Sequence, residues 1–200
     1  PQLSQAQRMI VTLRDGAAVA AFAAWLDGGG FGASTLHVLE AIGGAAARIR
    51  TTTATGFDLS DIAHPVALAV EVAGPGASVP LASGKPDALF ENDGQITKRP
   101  IRALTLSALA PKPGEMLWDL GAGSGSIAIE WLMTHPSTHA IAVEADAGRA
   151  ATMRKNADAL GQDRLEIRTG TVASALAGLP APDAGFIGGG LSSALLGDLW

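Results

Sequence analysis

Trp118-Asp119-Leu120-Gly121-Ala122-Gly123-Ser124-Gly125-Ser126 carries an acid followed by three alternate glycines. Glycines at a strand-to-helix turn let the backbone approach a ligand that side chains would otherwise exclude. The frame is G-x-G-x-G, whereas a dinucleotide loop wants G-x-G-x-x-G, and Ser126 stands in the slot of that third glycine. Asp119 precedes the first glycine by two residues, where its carboxylate would repel an entering pyrophosphate and attract a cationic amino acid moiety. Glu144 follows at about the distance where Rossmann-like folds place an acid on ribose hydroxyls, and one carboxylate can accept from both. The chemistry indicated is binding of a ligand without phosphates. An ordinary tight turn is the alternative for the glycine loop taken alone.

These residues must be held by alternating strands and helices. Short β-branched runs alternate with Ala-rich amphipathic stretches, which predicts an α/β architecture. The pattern predicts helix 97–109, strand 116–120, helix 124–133, strand 139–144, helix 147–160, strand 165–168 and strand 184–187. The glycine loop then sits between the first strand and its helix, and Glu144 ends the second strand. The chain stops at Trp200, within what reads as the helix after the fourth strand, so the domain is expected to be incomplete and to need other strands or subunits over its exposed edge.

In the first part, 15–27 reads as a helix closed by Gly28-Gly29-Gly30. Periodicity leaves 34–42 open between strand and helix. Residues 48–55 read as a strand, 59–63 as one helical turn and 66–72 as a buried strand. Prolines and glycines from Gly74 onward predict a linker over 74–87. Two domains follow, 1–87 and 88–200.

Composition narrows the partners. Of 200 residues, 48% are apolar, enough for a sizeable core. The net charge of −5 argues against a broad nucleic-acid-binding face, which needs clustered Lys and Arg. Cysteine is absent, which excludes disulfides and thiolate metal sites, and His37, His64, His135 and His139 are too scattered to predict a metal centre. The absence of a long uncharged apolar run or a basic leader leads to the expectation of a soluble, cytoplasmic protein without a membrane partner.

The glycine loop, Asp119 and Glu144 together resemble the class I Rossmann-like S-adenosylmethionine-dependent methyltransferases over about Glu91 to Trp200. Glu91-Asn92-Asp93-Gly94-Gln95-Ile96-Thr97-Lys98 before an amphipathic helix narrows the resemblance to the precorrin carbon-15 methyltransferases, which also decarboxylate their substrate. Phe186-Ile187-Gly188-Gly189-Gly190 matches the same family. Gly30-Phe31-Gly32-Ala33-Ser34 and Val38-Leu39-Glu40-Ala41-Ile42-Gly43-Gly44 resemble the final part of the α/β carbon-5 tetrapyrrole methylases. Their order is that of the fused decarboxylating C-5,15-methyltransferase family of cobalamin biosynthesis.

That resemblance implies S-adenosylmethionine as cofactor, a precorrin substrate, methylation at carbon 15 with loss of a ring acetate carboxyl, and a homo-oligomer, a tetramer in related proteins. It assigns cofactor contacts to Thr97, Asp119, Gly121, Ala122, Gly123, Ser124, Gly125, Glu144, Gly170, Thr171 and Gly188. Many class I enzymes place an acid after the third strand, where this sequence reads Thr169-Gly170-Thr171-Val172. Adenine contacts there would come from backbone or hydroxyls. A carboxylate-rich substrate implies a cationic rim, for which Lys98, Arg99 and Arg102 are the candidates, with Gly189 and Gly190 beside them. The bland alternative is that these cations are solvated or pair with Glu91 and Asp93. Arg149, Arg154 and Lys155 read as a solvated helix face, and Trp118, Trp131 and Trp200 as core or interface area. Carbon-5 activity is expected to be absent.

Rival readings are a class I methyltransferase for another small molecule, a nicotinamide-dependent oxidoreductase weakened by Asp119 and Ser126, and a piece without turnover of its own.

Overall fold

The computed structural model describes residues 3–176, 178–189, 193 and 197. The chain divides into two compact units that part between Val79 and Pro80. Among the described residues, no helix is long and apolar enough to cross a membrane.

The first unit is a four-stranded antiparallel sheet in the order β1-β4-β2-β3, formed by β1 (Arg8–Leu13), β2 (Thr35–Glu40), β3 (Arg48–Thr53) and β4 (Val66–Glu71), with the helix α1 (Gly16–Leu26), which runs on into a π-helical turn over Asp27–Phe31. Asp15 caps α1 by accepting from the Ala18 N–H at 2.9 Å. Leu36, Val38, Val66, Leu68 and Val70 alternate inward and meet Val19, Ala23 and Leu26 of the helix. Residues 34–42, open on periodicity alone, thus form a strand. β1 went unread in the sequence.

The helical turn expected at 59–63 does not form. Its backbone polar groups are engaged elsewhere: Ser60 and Asp61 carbonyls accept from Arg50 and Arg48, and the Ala63 N–H donates to Glu40. Glu40 is fully buried and also accepts from both arginines, at 2.6 and 2.8 Å. The Arg48 guanidinium first, then that of Arg50 and the Ala63 N–H, hold its carboxyl down to about 2.

The second unit is a parallel sheet in the order β7-β6-β5-β8, with β5 (Met116–Leu120), β6 (His139–Glu144), β7 (Glu166–Thr169) and β8 (Ala184–Ile187). Among the described residues its α-helices include α2 (Arg99–Leu109), α3 (Ser126–Leu132), α4 (Ala147–Ala159) and the short α5 (Val172–Leu176), which is not among the elements expected from the sequence, and a single 3-10 turn spans Asp87–Leu89. The five residues Ala140 to Glu144 are buried without alternation, as befits a strand covered on both faces. Every residue of α3 is buried too, around Trp131 at the centre of the core. α2 starts two residues later than expected, with Pro100 in its first turn, and α3 starts after Gly125 rather than at Ser124.

Residues 80–87, expected as linker, are part of this unit. Gly84 and Lys85 each donate a backbone N–H to the buried Glu130 of α3 at 2.7 Å, and Lys85 is itself buried. β5 has β6 on one side and β8 on the other, so successive connections leave it in opposite directions. A crevice opens at the carboxyl ends of strands where such a reversal occurs.

Candidate functional site

The glycine loop leaves the end of β5 and lies over the end of β6. Gly121 and Ala122 N–H groups both donate to the Val143 carbonyl, at 2.9 and 3.0 Å. Gly125 takes a left-handed conformation at φ +78°, and a Cβ there would stand 2.4 Å from Met153 Cγ, so glycine is required by both backbone and space. Gly188 lies so close to the Gly121 carbonyl that its own Cβ would reach within 2.5 Å of that oxygen. The ends of β5 and β8 meet there through backbone alone.

Glu144 faces this loop with one carboxylate oxygen accepting from the Gly123 N–H at 2.8 Å and the other from the Asp146 N–H at 2.9 Å. Each oxygen keeps further lone-pair capacity, so the group can still accept from a ligand's hydroxyls. Asp119 lies beneath the loop, almost completely buried. One of its oxygens accepts from the Ala128 N–H at 3.1 Å, and the other has no hydrogen-bond partner. Burial, reinforced by the nearby Glu144 charge and opposed by the Ala128 N–H, pushes the Asp119 carboxyl up to about 7.

A cleft of about 590 Å³ opens above these groups. Its floor is Gly121 to Ser124 with Ser126 and Ile127, Glu144 and Arg149 stand on one side, and Phe186, Gly188 and Gly189 on another. The remaining wall is the extended segment Gly94-Gln95-Ile96-Thr97. Three anchors hold that wall. Asp93 accepts from the Gln95 N–H at 3.1 Å and from Arg149 Nε at 2.7 Å, and Arg102 donates to the Thr97 carbonyl. Upstream, the buried Asn156 of α4 brackets Glu91, accepting from its N–H and donating to its carbonyl, and also donates to the Ser124 carbonyl.

The structure therefore gathers Thr97, Gly121, Ala122, Gly123, Ser124, Glu144, Gly188 and Gly189 around one cleft. Gly125 supports it from below. Gly170 and Thr171 do not line it: the Gly170 N–H donates to the Glu144 carbonyl, and the Thr171 hydroxyl accepts from Ser174 N at the start of α5. Gly190 and Trp200 lie outside the described residues.

The expected cationic rim needs correction at Arg102. Lys98 and Arg99 are exposed at the start of α2, next in sequence to the cleft-lining Thr97, whereas Arg102 is wholly buried with its nitrogens committed to protein acceptors. Arg149, read as part of a solvated face, instead lines the cleft and pairs with Asp93, whose carboxyl it holds below the usual range. A single cation on a helix carries no local sequence signal for such a role. For Asn156 a signal existed, since a mid-helix asparagine is a poor helix former that needs a compensating partner.

Residues 88–200 match the family model described as the precorrin methyltransferase domain. The chain belongs to the precorrin methyltransferase family. It is 51% identical over 193 residues to the precorrin-6Y C(5,15)-methyltransferase [decarboxylating] of a Sinorhizobium species, an alignment covering 95% of this chain and 46% of that protein. The chain thus spans about half the length of the curated relatives it matches. Among solved structures, the C-terminal domain of the precorrin-6Y C5,15-methyltransferase from Rhodobacter capsulatus superposes with a TM-score of 0.58 at 49% identity, covering 60% of this chain and 65% of that one. The precorrin-6Y C5,15-methyltransferase from Geobacter metallireducens gives 0.54 at 31% identity, with 59% and 62% covered. The parallel sheet of this precorrin methyltransferase domain is accordingly of the class I methyltransferase type.

Proposed function

We propose that the cleft binds S-adenosylmethionine and that the chain carries the carbon-15 methylation and acetate decarboxylation of a precorrin in cobalamin biosynthesis. The observation that carries the reading is the position of Glu144, whose carboxylate meets the glycine loop at the point where the strand order reverses. The residues present fit the cofactor. A loop without side chains leaves room for the methionine portion, Glu144 can take the ribose hydroxyls, and Asp119 holds an unpartnered oxygen beneath the loop that favours a cationic group above it.

When bound, S-adenosylmethionine supplies an electrophilic methyl group on a sulfonium. The protein's part in such an in-line displacement is alignment and exclusion of water, because the electron-rich tetrapyrrole supplies the attacking carbon. Thr97, Phe186 and Gly188 bound the reaction space, and the backbone of Gly188 and Gly189 lets the macrocycle approach closely. Lys98 and Arg99, exposed at the start of α2, remain available to peripheral carboxylates. Loss of the acetate carboxyl breaks a carbon–carbon bond as carbon dioxide leaves, and the conjugated macrocycle accepts the electron pair.

Calorimetric titration with S-adenosylhomocysteine and, separately, NAD tests this reading. Saturable binding of the first alone supports it and justifies an assay of carbon-15 methylation with isotopic detection of carbon dioxide. Binding of NAD alone overturns it.

A further inference from the structure

Arg102 is the one member of the expected substrate rim that the fold withdraws from solvent completely. Its Nε donates to Glu130 at 2.5 Å, one terminal nitrogen donates to the Lys85 carbonyl at 2.5 Å and to Asp87 at 3.0 Å, and the other donates to the Thr97 carbonyl. The guanidinium also lies 4.8 Å from the centre of the Phe90 ring. Glu130, equally buried, accepts in turn from Gly84 and Lys85 N–H groups. One cation thus joins three pieces of chain: the 84–90 segment, the all-buried helix α3 and the 94–97 wall of the cleft.

A buried ion pair is weak evidence for stability, because desolvation of both charges offsets much of their attraction and apolar packing of equal volume often does as well. Its distinctive property is geometry. A planar fork with donors in set directions holds several acceptors at defined mutual positions, which neither Lys nor an apolar residue reproduces. Of its four acceptors, the Thr97 carbonyl is the one that belongs to a cleft-lining residue. The wall has no regular secondary structure of its own, so its position depends on such anchors.

We propose that Arg102 is a positioning residue for the cofactor cleft, holding the Thr97 wall from behind in the ligand-binding position while Glu130 holds Arg102. The proposal rests on the reading of the cleft as an S-adenosylmethionine site. Arg102 touches no substrate; it acts through Thr97.

The test is calorimetric titration of the full chain with S-adenosylhomocysteine, with thermal melting and amide exchange in parallel, on the parent, Arg102→Lys, Arg102→Met and Leu165→Ala. Leu165 is buried in the same core just before β7, outside the cleft lining, and controls for lost stability. Both Arg102 variants should bind about ten-fold or more weakly, as misplacement of a positioned wall by a fraction of an ångström would cause. Arg102→Lys should retain part of the affinity, and exchange at residues 95–98 should quicken. Leu165→Ala should melt lower yet bind as the parent does. A folded Arg102 variant with parental affinity and parental exchange at 95–98 overturns the proposal alone. If both Arg102 variants fail to fold, Glu130→Gln decides by the same two readouts. A parent chain that binds no S-adenosylhomocysteine removes the cofactor reading and this proposal with it.

Discussion

Glu144 and Gly123 meet across the mouth of the cleft, with the carboxylate accepting the loop N–H at 2.8 Å. The acid at the end of β6 therefore both shapes the glycine loop and faces the ligand space. Glu144→Ala leaves the Gly123 and Asp146 N–H groups without their acceptor, at about 1–3 kcal/mol for each that stays buried and unpaired. The expected result is S-adenosylhomocysteine binding weakened about 10- to 100-fold by calorimetry, or ~1.4–2.7 kcal/mol. Unchanged affinity would remove Glu144 from the site.

Gly188→Ala places a methyl group within 2.5 Å of the Gly121 carbonyl, against backbone that cannot swing aside. Overpacking of this kind costs about 1–3 kcal/mol, and here it spreads the ends of β5 and β8 that bound the cleft. A lower denaturant midpoint together with weakened ligand binding is expected. The same substitution at Gly185, where an added Cβ meets nothing within 4 Å, should leave binding unaltered.

Asp119 yields a prediction of opposite signs for stability and binding. With its carboxyl pushed up to about 7 in the fold, the native state holds one more proton than the unfolded chain between the ordinary aspartate range and that pH. Stability contributed by the protonated group is full at low pH and declines as pH rises through about 7. Asp119→Asn removes this decline, so the variant should gain on the parent in melting temperature toward alkaline pH. It should also bind S-adenosylhomocysteine more weakly, since the buried negative charge is gone. A variant that loses stability most at alkaline pH would contradict the assignment.

Glu40 acts in the reverse direction in the first unit. Its carboxyl is held down to about 2 by Arg48 and Arg50, so its contribution is present above the ordinary glutamate range and is lost as pH falls through about 2. Protection of the β2 and β3 amides relative to their intrinsic exchange should fall on acidification toward about 2, and Glu40→Gln should show reduced protection already at neutral pH. Equal protection in the two proteins at neutral pH would rule out the role.

Much of the site was legible because its signals are local. The G-x-G-x-G spacing, the acid before it and Glu144 at the end of the next apolar run each follow from residue types at a strand end, and β5, β6 and β8 appear where their apolar runs predict. The errors lie where distant partners decide. Residues 59–63 look like a helical turn until Arg48, Arg50 and Glu40 claim their backbone groups. Thr171, expected as a cofactor contact, is placed off the cleft lining, where its hydroxyl accepts from the Ser174 N–H at the start of α5.

The sequence by itself determined the alternation of strands and helices, the glycine turn and the acids that flank it, because backbone freedom and hydrophobic period are properties of neighbouring residues. Only the tertiary structure decided which cations face the cleft. Arg102, read as a rim residue, is drawn inside because Glu130 lies buried on a neighbouring helix, and Arg149, read as solvated, turns to the cleft because Asp93 is brought beside α4. An arginine's side chain is long enough for either fate, and the position of its carboxylate partner selects between them.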